Sequence, residues 1–224
     1  MTVITISREL GSGGSDISKQ VARILGYQFV DKNLVEAVLQ QYGMVEFDKL
    51  YKTTPGFWTR YDRMNLEIVS MLNKTLLALA QRGKMVILGR GGFAILKGYA
   101  DVLNVYIRAP FEQRVQRVME MEKIGSWQDA EAYVRKNDEI RTGFIRMYYD
   151  TEWDKASAFN LVIDTGHVQP VMAVDWIVEA ARAIELKPIL GGPYTREIVV
   201  DNILSFTIDT VFEEAERQKV LEFG

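Results

Sequence analysis

Gly11, Gly13 and Gly14 are interleaved with Ser12 and Ser15, and four residues separate them from a preceding run rich in β-branched residues, Val3-Ile-Thr-Ile. A strand that breaks into such a turn and then starts a helix makes a cradle for phosphate. The glycines let the backbone turn tightly and aim its N–H groups inward. The helix adds its own unpaired N–H groups and the positive end of its dipole. Ser15 offers a hydroxyl either to a phosphate-bound Mg2+ or to the helix cap, and Asp16 in the first turn suits the dipole. One charge is missing. A P-loop carries a lysine just after its last loop glycine, and Gly14 stands in that place. Arg8 at the loop entrance and Lys19 one turn into the helix are candidates to supply the charge from elsewhere.

A second set of chemistry-bearing residues is rich in arginine. Arg114 and Arg117 lie one turn apart after Pro110, and Arg135, Asp138, Arg141 and Arg146 follow on another helical stretch. The planar guanidinium stays charged and donates several hydrogen bonds, which suits multi-pronged phosphate binding. The alternative is a solvated helix face, with these arginines paired to Glu112, Glu120, Glu131 and Glu139. Arg90 differs from the rest. It is flanked by glycines at the end of an apolar run, where folding alone gives little reason for an arginine.

The elements that must position these groups follow from periodicity. Residues 2–6, 27–30, 85–88, 102–107 and 161–163 read as strands. Helices are predicted over residues 16–25, 33–41 and 63–82, the last with Leu66, Val69, Leu72, Leu76 and Leu79 on one face. Methionines 64 and 71 read as core filler. Residues 43–62, which include Pro55 and Trp58, read as an irregular loop or a substrate-binding flap. Strands alternating with helices argue for a parallel sheet with right-handed crossovers, whose ligands sit beyond the carboxyl ends of the strands. Residues 8–14, 89–92 and 108–110 are Gly- or Arg-rich and fall at three such ends. From Pro188 the pattern changes, and residues 197–224 end in a charged helix-like segment. We expect a main domain over residues 1–187 and an extension over 188–224 that packs on the body or on a second subunit.

Composition narrows the chemistry. The 224 residues are 48% hydrophobic with a net charge of −3, which gives no electrostatic argument for a nucleic acid partner. With no cysteine and one histidine, thiolate catalysis, disulfides and multi-histidine metal centres are excluded. His167 reads as a loop or surface residue. The chain enters a strand at once, and no apolar run approaches the ~20 residues needed to span a bilayer. A cytoplasmic protein without membrane partners is expected.

Taken together, residues 3–15, residues 86–91 (Val-Ile-Leu-Gly-Arg-Gly) and residues 138–141 (Asp-Glu-Ile-Arg) resemble the cytidylate kinase-like branch of the P-loop nucleoside monophosphate kinases. Residues 107–110, Trp153 and residues 160–165 match the same pattern, and the resemblance spans about residues 1–185. It implies a three-layer α/β P-loop kinase-like fold with a parallel sheet. A helical acceptor-binding part (33–82) and an arginine-bearing lid region (110–155) would accompany it. By this resemblance Gly11, Ser12, Gly13, Gly14 and Ser15 hold the phosphates of ATP; Arg8 at the loop entrance and the Ser15 hydroxyl, the latter on Mg2+, complete the expected set. Arg90 grips the acceptor monophosphate, Asp31 lies near the acceptor, and Arg141, with Arg135 as its partner, closes over the transferring group. Two departures stand out: Gly14 in place of the lysine, and Gly91 in place of an aspartate after the arginine.

The implied function is ATP-dependent phosphoryl transfer to a small phosphorylated acceptor, foremost a pyrimidine nucleoside monophosphate. Such transfer rests mostly on positioning and charge stabilisation. The alternatives are a nucleotide-binding sensor or assembly module that has lost catalysis with its lysine, and a kinase with a different small acceptor. A homodimer through the C-terminal extension is a further expectation.

Overall fold

A computed structural model describes residues 2–44, 62–186 and 191–223. The predicted flap, residues 43–62, falls almost wholly outside them. A five-stranded sheet runs in the order β2-β3-β1-β4-β5, with β1 (Val3–Arg8) at its centre. The others are β2 (Gln28–Val30), β3 (Met85–Leu88), β4 (Val102–Arg108) and β5 (Leu161–Asp164). Every pairing is parallel. The three strand ends singled out from sequence thus belong to neighbours, β3, β1 and β4.

Alternate side chains of each strand feed separate cores, as a two-sided buried sheet requires. Ile4, Ile6, Val86, Leu88, Val105 and Ile107 pack under helices α1 (Gly14–Leu25) and α7 (Pro170–Leu186). Val3, Met85, Ile87 and Val102 face the opposite layer. That layer contains α2 (Lys32–Gln41), α3 (Arg63–Gln81), the short α4 (Gly92–Ile95) and part of α6 (Trp127–Tyr149). Thr5, on β1, is buried on the second face and donates to Asn104 Oδ1 at 2.6 Å. A small third core joins α5 (Phe111–Met121) to α6 through Val115, Val118, Ala130 and Val134.

The C-terminal extension packs on its own chain. Its final helix, α8 (Asn202–Phe223), inserts Leu204, Ile208 and Val211 into the core shared with α2 and α3. Arg82 anchors it by an ion pair with Asp209 and a 2.8 Å bond to the Ser205 carbonyl. Upstream, Thr195 donates to Asp101 from both its amide and its hydroxyl.

Candidate phosphate-binding site

The turn between β1 and α1 is held from behind. Arg141 Nη1 donates to the Arg8 carbonyl at 3.0 Å, and Ser12 Oγ to that of Glu9 at 2.9 Å. Arg114 reaches the Leu10 carbonyl, Arg117 that of Gly11, and Thr165 Oγ1 that of Ser12 at 2.7 Å. Five consecutive carbonyls therefore accept side-chain bonds. In a planar trans peptide the C=O and the following N–H point in opposite directions. Tethering the carbonyls of Leu10 and Ser12 thus turns the amides of Gly11 and Gly13 to the other side. Both glycines are left-handed, with φ of +79° and +76°, and Gly13 is the residue preceding the first turn of α1. The helix start adds its intrinsically orphaned amides at Ser15 and Asp16. Together these amides offer the donor set of an anion-binding nest.

Arg114 and Arg117 therefore act behind the cradle, not as a phosphate-facing pair. Arg114 is buried, with its Nη1 2.8 Å from Asp138 and its Nε 3.3 Å from Glu9. Glu9 also accepts the Ala109 amide at 2.9 Å and the Tyr106 hydroxyl. Burial pushes the Glu9 carboxyl up, while the Ala109 amide and Arg114 pull it back.

Beside the cradle lies a cavity of about 410 Å3, within the range of small-molecule sites. Its lining includes Arg8, Lys32, Arg90 and Arg141, with Tyr133, Asn137 and the apolar Phe93, Phe144 and Trp153. No carboxylate is among the described lining residues. Arg90 is left-handed at φ +55°, between Gly89 at +74° and Gly91 at +75°. Three successive residues in that region project the Arg90 side chain from the β3 end, a conformation that costs an arginine roughly 1–3 kcal/mol. Gly91 is explained by the same geometry. A Cβ there would fall 2.5 Å from the ring of Tyr149, whose hydroxyl bonds Asn73.

Arg141 stands on α6 with its guanidinium 5.8 Å from the Trp153 ring centre. Burial lowers its pKa to about 10, and the positive charges of Arg90 and Arg114 act in the same direction, against Asp138. It stays charged at neutral pH.

Other expected site residues are not among the described residues that line the cavity. Arg135 pairs with Glu131 at 2.8 Å and lies 4.3 Å from the Phe111 ring centre. Asp31 caps α2 by accepting the Leu34 amide at 3.1 Å. Ser15 is exposed in the first turn of α1, Gly13 holds the cap position, and Lys19 is exposed on the same helix. His167 is an exposed loop residue, as expected. Lys32, Tyr133 and Asn137 were not singled out from sequence. The last two share a face of α6 with Arg141 at helical spacing, a signal that was available.

The parallel three-layer sheet and the glycine turn at the end of its central strand define an α/β protein with a P-loop kinase-like fold. An uncharacterized protein from Eubacterium ventriosum has the same fold, with a TM-score of 0.64 at 22% identity over 82% of this chain and 99% of its own. TT1252 from Thermus thermophilus gives a TM-score of 0.50 at 20% identity, covering 83% of this chain and 98% of its own. Residues 3–167 match the cytidylate kinase-like family, and the chain belongs to it. The cytidylate kinase of Ignicoccus hospitalis is 31% identical over 79% of this chain and 97% of its own length. That of Pyrobaculum aerophilum is 30% identical, covering 75% and 86%. Among the described residues, no helix is long and apolar enough to cross a membrane.

Proposed function

We propose that the protein transfers the γ-phosphoryl group of ATP to a small phosphorylated acceptor, foremost a pyrimidine nucleoside monophosphate. One observation carries this reading: a cavity whose described lining residues include four cations and no carboxylate adjoins the amides at a helix start. A binding module would need the nest alone. Two anionic partners brought face to face need the cations as well, because their mutual repulsion must be offset before they react. The cytidylate kinases among its relatives support the choice of acceptor.

In this reading the nest holds the donor phosphates and Arg90 orients the acceptor phosphate. An acceptor oxygen attacks the γ-phosphorus in line as the bond to the β,γ-bridging oxygen breaks, leaving ADP. The reaction needs no strong base, in keeping with a cavity that has no histidine or carboxylate among its described lining residues. Arg141 and its neighbours offset the charge gathered on the transferring group. A single serine hydroxyl at the helix start, with phosphate oxygens and water completing the shell, suits Mg2+, which takes few protein ligands. Bound through Ser15, it would neutralise charge on the donor phosphates.

Arg90→Ala and Arg141→Ala should each lower turnover by about 100-fold or more with the thermal midpoint little changed, measured by ADP release over a panel of nucleoside monophosphates. Full activity in either variant would remove that residue from the mechanism. ATP binding without turnover on any acceptor would instead favour a nucleotide sensor.

A further inference from the structure

The P-loop pattern runs Gly, four residues, Gly-Lys, then Ser or Thr. Laid on residues 8–15 it matches Gly13 and Ser15, but Arg8 takes the first glycine's place and Gly14 the lysine's. The cation and the glycine have changed places. The structure gives this exchange a steric reason. A Cβ on Gly14 would fall 2.6 Å from Cβ and 3.0 Å from Cγ of Arg8. Those are stem atoms close to the backbone, so they cannot swing aside as a side-chain tip can. Gly14 itself lies outside the left-handed region, so space, not backbone conformation, demands a glycine there.

The other end of Arg8 completes the picture. Its Nη1 lies 2.5 Å from where a Cβ on Gly89 would stand. The side chain thus runs from the end of β1, across the first residue of α1, to the end of β3 beside Arg90. It joins Arg90 and Arg141 in the cavity wall. Lys19, the other candidate, is exposed and is not among the described lining residues. We propose that Arg8 is the phosphate-directed cation of this site, entering from the first position of the loop in place of the lysine, and that Gly14 is glycine to let it pass. The proposal rests on the phosphotransfer reading. The side chain spans the seam between the nest and the cavity, and the guanidinium fork at its end can donate to more than one phosphate oxygen.

Calorimetric titration with a non-hydrolysable ATP analogue and steady-state turnover test this on the full chain, with thermal melting as the check on folding. Arg8→Met should weaken analogue binding by about tenfold and turnover by about 100-fold or more, with Arg8→Lys intermediate. Gly14→Ala removes no charge yet should impair both in the same direction. Gly14→Lys alone should be poor, and the double variant Arg8→Gly with Gly14→Lys should exceed it by at least about tenfold, because the stem that blocks the lysine is gone. Analogue affinity and turnover unchanged in Arg8→Met or in Gly14→Ala would overturn the proposal and leave the phosphotransfer reading standing, as would a double variant no better than Gly14→Lys. Should Arg8→Met fail to fold, Gly14→Ala and Arg8→Lys carry the same test. A wild-type chain that binds no analogue would overturn both readings.

Discussion

A single guanidinium ties three elements together behind the cradle. Arg114, on α5, reaches the β1–α1 turn through the Leu10 carbonyl and the Glu9 carboxylate and α6 through Asp138, while its side chain is only 6% exposed. Removing it would strand two carboxylates in a poorly solvated space. Arg114→Met should therefore cost about 3–5 kcal/mol of stability, read from urea denaturation at neutral pH, and should loosen nucleotide binding as the Leu10 carbonyl is released. Arg141 makes a pH prediction. Burial holds its pKa at about 10, below the ordinary arginine value. The folded chain thus bears the cost of burying this charge at every pH below that value, a cost relieved as pH rises, whereas catalysis needs the charge and is lost over the same interval. The kcat/KM profile should fall through an inflection near 10, with kcat inflecting higher because bound phosphate favours the charged form. A kcat/KM profile flat through that value would count against Arg141. Arg90 was legible in the sequence because glycines on both sides marked a special backbone. The role of Arg114 was not, because its partners lie on elements remote in sequence and only burial distinguishes it from a solvated arginine.

At the scale of elements, the β1–α1 turn sorts its glycines by need. Gly13 is left-handed with open space around it, so Gly13→Ala bears only the backbone penalty, about 1–2 kcal/mol. A Cβ on Gly11 would fall 2.6 Å from the Arg114 carbonyl as well as sitting in the left-handed region. Gly11→Ala should be the more destabilising of the two and should weaken nucleotide binding more, as measured by paired denaturation curves and titrations. Equal effects would mean that the Gly11 contact is soft. The strands were readable from sequence to within a residue or two, those at the sheet centre because both their faces are buried and leave near-continuous apolar runs. The start of α1 was placed at Asp16, two residues late, because Gly14 and Ser15 look like turn residues. The four residues of α4 carry too little periodicity to read at all. Residues 110–155, expected as a lid, contain α5 and α6, and the sequence placed Arg135 beside Arg141 as its partner. Both lie on one helix, and only the rotation of α6 against the sheet decides which faces the cavity.

For the molecule as a whole, the two halves of the chain converge on one site through the order of the sheet. Placing β1 between β3 and β4 sets the cradle beside both Arg90 and the α5–α6 region. The C-terminal helix supports this from below, since α8 shares a core with α2, whose first residue, Lys32, lines the cavity. Ile208 is fully buried there. Ile208→Ala should cost about 2–5 kcal/mol, read from denaturation midpoints; a surface-like loss of a few tenths would show that the extension is dispensable for the body's stability. From sequence, the extension was marked off by a change of pattern after Pro188, but its docking face was not legible, because α8 is charged and apolar around much of its circumference. The central claim is a chemical one, and phosphorus NMR tests it most directly. With Mg2+, ATP and cytidine monophosphate, the γ-phosphate signal of ATP should decline as the β-phosphate signal of a newly formed cytidine diphosphate rises in step with ADP. Loss of the γ-signal to inorganic phosphate alone, or spectra unchanged while the nucleotide is bound and each nucleoside monophosphate is offered in turn, would contradict the account.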